Sequence, residues 1–134
     1  MESPAAGDFS GPVKAVTPDA IDAAFDVVLV SCKAYDLADA ISAIAPAVGP
    51  DTMVVPLLNG MQHMAVLREA FGERVAGGLV KIAVTLAPDG TIRHLNDWQF
   101  ITFGALESLP GGQLHGLRDA FEGTTVKADL VPDI

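Results

Sequence analysis

The sequence has little cysteine and no long apolar run. Its single cysteine, Cys32, excludes a disulfide framework within the chain and a cysteine-based zinc site. Because Cys32 lies inside an apolar run, we expect a buried, reduced thiol. The run Val27–Val30 is far shorter than the roughly 20 apolar residues of a membrane-spanning helix, so we expect no membrane partner. Residues 1–14 lack the basic and apolar regions of a signal peptide, and we therefore expect a cytoplasmic location.

Basic residues are also scarce. The chain has 8 Lys and Arg against 17 Asp and Glu, which gives a net charge of −9. Nonspecific nucleic-acid binding needs a basic surface, so we expect no nucleic-acid partner. The acidic balance does not exclude a phosphorylated ligand, because backbone amides at a helix N-terminus can hold a phosphate.

Apolar residues, in contrast, make up half of the 134 residues, enough for one domain with a core. We expect residues 1–24 to form a loop-rich leading segment, because glycine, proline and serine interrupt them. Three strand-like segments then alternate with two helical ones. The strand-like segments are apolar without alternation, as in strands covered on both faces. They are Phe25–Cys32, Thr52–Leu58 and Arg74–Leu86, and their order predicts an α/β fold with a parallel sheet.

The two helical segments between these strands each show one apolar stripe that would pack on the sheet. Asp36 is a suitable N-cap for the first segment. Pro46, Gly49 and Pro50 would end it. The stripes comprise Leu37, Ile41, Ile44 and Val48 in the first segment, and Met61, Met64, Leu67 (or Val66) and Phe71 in the second.

The pattern changes after residue 86. A turn at Pro88–Gly90 is followed by two strand-like segments, Thr91–His94 and Gln99–Phe103. They predict an antiparallel meander that extends the parallel sheet. A last amphipathic helix at 114–123 and a short strand at Thr125–Leu130 complete the predicted domain.

Polar residues follow two of the predicted parallel strands, where ligands bind in open α/β sheets. Lys33 follows the first strand and could offer an ammonium to a carboxylate or phosphate, although a solvated lysine is favoured by the residues alone. Asn59 and Gly60 follow the second strand. The Asn59 amide could bind both a cofactor and a substrate, or Asn59 could simply be a turn residue or helix N-cap. Local sequence leaves these two interpretations balanced.

Other candidate groups lack the context that their chemistry requires. The glycine pairs at 77–78 and 111–112 are not part of a GxGxxG or P-loop motif. Ser31 and Ser42 are not in a GxSxG motif, so serine hydrolysis is not supported. The three histidines have no metal-ligand spacing, and we expect no metal site. Structural or surface roles are expected for His63, His94 and His115.

Between residues 26 and 104, the segments SCKAYD, PLLNGM and PDGTIRH occur in an order and spacing that resemble the ketopantoate reductase family. The resemblance implies a partial Rossmann-like domain of an enzyme that uses NADPH to reduce a 2-oxo acid to a 2-hydroxy acid. It implies that Lys33 lies near cofactor and substrate and that Asn59 contacts both. It also implies that Ala83, or alternatively Val84, is a backbone position beside the cofactor.

The sequence departs from this family pattern on both sides. The GxGxxG strand that holds the pyrophosphate is missing, and the proton-donating lysine would lie beyond Ile134. We therefore expect residues 1–134 to be a single partial dinucleotide-binding domain, without the C-terminal substrate domain, and inactive alone. No catalytic residue is then expected within the chain.

An alternative function is a non-catalytic binding or self-association module built on half a dinucleotide-binding domain. Without a preceding strand, the apolar segment Phe25–Cys32 would have an unpaired edge. Such an edge can pair with a strand of another chain. We therefore expect self-association through this edge.

Overall fold

The computed structural model describes residues 1–106, 111–132 and 134. Three α-helices and seven strands occur in these ranges, joined by short 3₁₀ turns at Pro18–Ala20, Ala34–Asp36, Ala45–Ala47 and Gly72–Arg74. The elements, in chain order, are β1 (Val27–Val30), α1 (Leu37–Ile44), β2 (Met53–Pro56), α2 (Gln62–Phe71), β3 (Gly77–Lys81), β4 (Val84–Leu86), β5 (Ile92–His94), β6 (Phe100–Gly104), α3 (Gly111–Asp119) and β7 (Lys127–Val131).

The parallel part of the sheet is centred on β2. β1 pairs with β2 in parallel, with Val27 opposite Met53 and Val30 opposite Pro56. On its other side β2 meets the start of β3 through a parallel bridge between Val54 and Val75. The β-α-β-α-β order expected for residues 25–86 is therefore confirmed. Among the described strands, none pairs with the outer edge of β1.

β2 is buried on both faces because its side chains alternate between two apolar clusters. Val54 packs with residues of β1, α1 and α2. Met53 and Val55 pack on the opposite face with β6 and α3. All three side chains have no solvent exposure. An apolar strand without alternation is what two covered faces require.

The predicted stripe of α1 is confirmed, and that of α2 is partly wrong. Leu37 is buried, and Ile41, Ile44 and Val48 pack against the same cluster. Asp36 stands at the N-cap but its side chain makes no capping hydrogen bond. In α2, Met61 is 71% exposed because the helix begins one residue later; the buried face comprises His63, Leu67 and Phe71.

The predicted strand Arg74–Leu86 is wrong as a single element. β3 ends at Lys81, and β4 begins at Val84 as part of a separate two-stranded ribbon with β5. Val84 is 47% exposed and Leu86 is 70% exposed, although both are apolar. A continuous apolar run therefore gave no sign of where the chain leaves the main sheet.

The antiparallel extension is confirmed, and its strands are divided between two sheets. β6 pairs antiparallel with β3 and parallel with β7, whereas β5 pairs with β4. The turn between β4 and β5 is closed by hydrogen bonds from the Gly90 amide to the Ala87 carbonyl and from the Thr91 amide to the Asp89 carboxylate, both 2.9 Å. Gly90 has φ +84°, a conformation that favours glycine.

The N-terminal residues bind the β4–β5 ribbon through backbone hydrogen bonds and through a buried polar pair, Ser3 and His94. The Glu2 amide donates to the Ile92 carbonyl over 2.9 Å. His94 Nε2 lies 3.0 Å from the Trp98 carbonyl, which can only accept, so Nε2 carries the proton. In the neutral ring Nδ1 then accepts from the Ser3 hydroxyl, 2.9 Å away. The structural role expected for His94 is confirmed.

A pair of glycines leaves space for the last residue of the chain. Gly77 of β3 and Gly104 of β6 lie opposite each other in the antiparallel register. A Cβ built on Gly104 would lie 2.6 Å from the Ile134 Cγ2 atom, and one built on Gly77 would lie closer still. The Ile134 side chain therefore packs directly on the backbones of two adjacent strands.

Gly78 is required by the close approach of β3 to β2. A Cβ at this position would lie 2.8 Å from Val55 Cγ1, and it would also overlap the Pro56 carbonyl oxygen. Real Cβ atoms are not found at such separations from fixed backbone, so a side chain here would push the two strands apart.

We expect Gly78→Ala to destabilise the fold by about 1–3 kcal/mol, the usual cost of overpacking a core. Urea denaturation followed by circular dichroism would measure the free energy of unfolding. Gly116→Ala is the matched control, because a Cβ at that helical glycine meets nothing within 4 Å. It should stabilise the chain by about 0.5–1 kcal/mol through helix propensity. Equal effects of the two changes would contradict the close-packing argument.

Candidate functional site

The carboxyl ends of the parallel strands form one edge of the sheet. Val30 of β1 is opposite Pro56 of β2, and three residues later the chain reaches Lys33 and Asn59, respectively. The Leu57 amide donates to the Val30 carbonyl over 2.8 Å, which extends the pairing just beyond β2. The two predicted site residues thus leave the sheet at the same edge, as the parallel arrangement requires.

Asn59 is exposed, immediately after the buried Leu58. Gly60 follows with φ +85°, and Met61 is the N-cap of α2 without a side-chain capping hydrogen bond. Within the residues that the structure describes, the Asn59 amide makes no hydrogen bond to the protein. The helix-cap interpretation is therefore not realised, and the donors and acceptors of the amide remain available to a ligand.

Lys33 is exposed at the start of the 3₁₀ turn Ala34–Asp36. Its backbone carbonyl accepts from the Asp36 amide over 2.9 Å, which fixes the direction in which the chain leaves β1. Its ammonium forms no ion pair with any residue of the described ranges. The structure therefore leaves the positive charge of Lys33 available at this edge, in a chain of net charge −9.

A cavity of about 310 Å³ opens between the end of β2, the first turn of α2 and β3. That volume is at the lower end of the range for small-ligand sites. Its walls are mainly apolar, with Leu58, Met64 and Leu79 among them, and Gly78 forms part of the β3 wall. Two polar side chains line it, Asn59 and His63.

His63 is the site residue that the sequence argument missed. It is only 6% exposed, and burial lowers the pKa of its imidazole below the usual 6.5. The ring is therefore neutral at pH 7. The signal that could have identified it is its spacing of four and eight residues from Leu67 and Phe71, the inward positions of α2.

Ala83 lies away from this cavity, in the short link between β3 and β4. Its carbonyl accepts from the Leu95 amide over 2.8 Å, and the residue is half-buried. The link carries the chain from the main sheet to the ribbon. Its contact with a cofactor remains a prediction.

A larger cleft of about 600 Å³ lies at the opposite ends of the strands. It is bounded by Phe25 and Asp26 before β1, Asp51 before β2, and Leu117 of α3. Ligands of open parallel sheets bind at the carboxyl ends of strands, not at the amino ends. The smaller cavity beside Asn59 is therefore the candidate site.

The buried Ser3–His94 pair is not a second candidate. The Ser3 hydroxyl oxygen accepts from the Ala6 amide over 2.9 Å while its proton is directed to His94. Ser3 is 3% exposed, so its oxygen is not accessible to a substrate. The pair is a structural contact.

None of the helices within the described ranges is long and apolar enough to cross a bilayer.

Comparisons with known proteins agree with this geometry. Residues 1–108 match the family model described as ketopantoate reductase PanE/ApbA. The chain is 34% identical over 108 residues to the uncharacterized oxidoreductase YkpB of Bacillus subtilis, covering 80% of this chain and 35% of that protein. It is 29% identical over 135 residues to the 2-dehydropantoate 2-reductase of Caulobacter vibrioides, covering 99% of this chain and 44% of that protein.

Solved structures show the same relationship. The 2-dehydropantoate 2-reductase of Geobacter metallireducens superposes with a TM-score of 0.72 at 25% identity, over 81% of this chain and 36% of that one. The expected α/β fold, a partial Rossmann-like parallel sheet extended by antiparallel strands, is confirmed. The chain spans less than half of the length of each of these relatives.

The lowered pKa of His63 predicts a pH dependence of stability. The unfolded chain binds a proton near pH 6.5 and the folded chain only at lower pH, so stability is lost as the pH falls below about 6.5. We expect His63→Gln to lose less stability between pH 7 and pH 5 than the unmodified chain, measured by urea denaturation. Gln62→Ala, which changes an exposed, non-titrating residue next to His63, should leave the pH dependence unaltered. Identical pH dependence in His63→Gln would contradict the assignment.

Proposed function

The chain belongs to the ketopantoate reductase PanE/ApbA family of oxidoreductases, and on that premise we propose that its cavity at the sheet edge receives the nicotinamide of NADPH. The substrate would be a small 2-oxo acid, ketopantoate or a close analogue, reduced to the 2-hydroxy acid. The name of the Caulobacter relative, 2-dehydropantoate 2-reductase, supports this substrate class.

The observation that carries the proposal is the unbonded amide of Asn59 at the mouth of a largely apolar cavity. A nicotinamide ring is planar and uncharged or singly charged, so apolar walls with a few polar groups suit it. Asn59 can donate to one ligand oxygen and accept from a second group at the same time. That property fits a residue placed between cofactor and substrate.

Lys33 would act on the substrate's charge. The 2-oxo acid carries a carboxylate, and the chain's net charge of −9 would otherwise repel it. An ammonium at the same sheet edge offsets that repulsion and orients the carboxylate. Ala83 would contribute backbone groups next to the cofactor, as the family resemblance implies.

In the reaction, NADPH supplies a hydride to the keto carbon, and a proton must reach the keto oxygen. Asn59 would donate a hydrogen bond to that oxygen and hold the carbonyl against the nicotinamide. As the family resemblance implies, the proton would come from a lysine that is not among these 134 residues. We therefore propose that the chain is catalytically incomplete alone, and that the whole reaction belongs to a larger enzyme.

We expect the chain to bind NADPH weakly and Asn59→Ala to weaken that binding about 5- to 10-fold, the effect of losing one hydrogen bond of about 1–1.5 kcal/mol. Titration of NADPH followed by its fluorescence would measure the dissociation constant. Gln62→Ala is the matched control, because it removes an exposed amide that does not line the cavity.

The same preparation should show no ketopantoate-dependent NADPH oxidation. Turnover by the 134-residue chain would contradict the proposed incompleteness. An unchanged dissociation constant in Asn59→Ala would contradict the role of Asn59 in cofactor binding.

A second candidate function, self-association, is supported by the outer edge of β1. Within the described part of the chain this edge has no strand partner, and Leu29 and Phe25 beside it are 45% and 56% exposed. An unpaired, apolar edge favours strand addition by a second copy. In this alternative the half-domain is a binding module and the cavity need not turn over a substrate.

If the β1 edge mediates association, sedimentation velocity should detect dimers or larger species at high protein concentration. Leu29→Lys should shift the distribution toward monomer, because charge on an edge strand opposes pairing. Leu86→Lys, at an exposed apolar position of the ribbon, should leave the distribution unchanged. A clean monomer at all concentrations would contradict the self-association function.

A further inference from the structure

His63 combines three properties that a purely structural histidine does not need. It is 94% buried, since its exposed fraction is 6%. Its imidazole makes no hydrogen bond to any described residue. It also lines the cavity that Asn59 borders. Buried polar groups normally have partners, so an unbonded imidazole in a cavity wall indicates a missing partner.

The imidazole nitrogens of His63 are not completely enclosed by the protein. In the described ranges, every side-chain nitrogen or oxygen that is completely enclosed has a hydrogen-bond partner. Because the His63 nitrogens have no protein partner, they are not completely enclosed. The cavity lies against this side chain, so it is the space that a partner for these nitrogens would occupy.

The surroundings determine which chemistry that partner has. Near His63 the cavity walls are apolar, with Met64, Leu79 and Leu106, and no cation lines them. A carboxylate would be poorly stabilised there, because a buried charge needs a counter-charge. A neutral imidazole carries one donor and one acceptor. An uncharged primary carboxamide, with an N–H donor and a carbonyl acceptor on the same carbon, is its complement.

We propose that His63 is the residue that recognises the nicotinamide carboxamide, with one ring nitrogen accepting a hydrogen bond from the amide N–H. This inference rests on the proposed function and deepens it by dividing the site into two parts. The uncharged ring amide lies inside the cavity at His63. The substrate carboxylate lies outside it, toward Lys33.

Removal of one hydrogen-bonding group from the ligand provides the test. In the 3-acetylpyridine analogue of NADPH a methyl group replaces the amide nitrogen, so the ligand keeps the carbonyl and loses the N–H donor. The dissociation constants of both dinucleotides would be measured by calorimetry with the 134-residue chain, with His63→Leu and with His63→Gln. The free energy of unfolding of each variant would be recorded in parallel, which separates binding effects from loss of fold.

We expect the unmodified chain to prefer NADPH over the analogue, and His63→Leu to lose most of that preference while NADPH binding weakens about 5- to 10-fold. His63→Gln, whose amide also donates and accepts, should recover part of the affinity. The imidazole resonances of His63 in an NMR spectrum should shift on addition of NADPH, whereas those of exposed His115 should not.

The two levels of failure are distinguishable. If both dinucleotides bind and His63→Leu keeps the same preference as the unmodified chain, the role of His63 is refuted and the proposed function stands. The role of His63 is also refuted, and the proposed function again stands, if His63→Leu remains folded and binds NADPH with an unchanged dissociation constant. If neither dinucleotide binds to the unmodified chain, the cofactor assignment of the cavity is refuted, and the role of His63 with it.

Discussion

The burial of β2 on both faces is the constraint on which the rest of the structure depends. Met53, Val54 and Val55 are completely buried, and they divide the core into one cluster under α1 and α2 and another under α3. Each such side chain contributes about 1.5–3 kcal/mol when removed from water. Once β2 occupies this position, β1 and β3 have fixed places beside it, and Asn59 must leave the sheet where β2 ends.

The polar character of the site follows from this geometry. A chain that leaves a doubly covered strand passes from a dry interior to the surface within two or three residues. Leu58 is still buried, Asn59 is exposed, and the next inward side chain is His63, the second residue of α2. A cavity with an apolar floor and two polar groups at different depths results. Lys33 adds a positive charge at the same edge, supplied by the neighbouring strand.

The sequence predicted those features that repeat locally. The order of strands and helices from 25 to 86 followed from apolar runs and helical stripes, and the positions of Lys33 and Asn59 followed from the ends of the runs. The break between Lys81 and Val84 did not, because exposed apolar residues in the ribbon resemble buried ones in a sequence. The inward side of α2 was misplaced by assigning Met61 to it, since a methionine is a more usual core residue than a histidine. The Ser3–His94 contact joins residues 91 apart and has no local signal.

The packing of the Ile134 side chain against two glycines links three positions that are distant in the sequence. The Cγ2 methyl group of Ile134 lies over the backbones of Gly77 in β3 and Gly104 in β6. The energetic effects of changes at these positions should therefore not add, because each change acts on the same small volume. In evolutionary terms, a side chain could appear at either glycine only together with a smaller residue at 134. We expect the three positions to change together, and because Gly77 and Ile134 also line the cavity beside Asn59, such changes would alter the shape of that cavity.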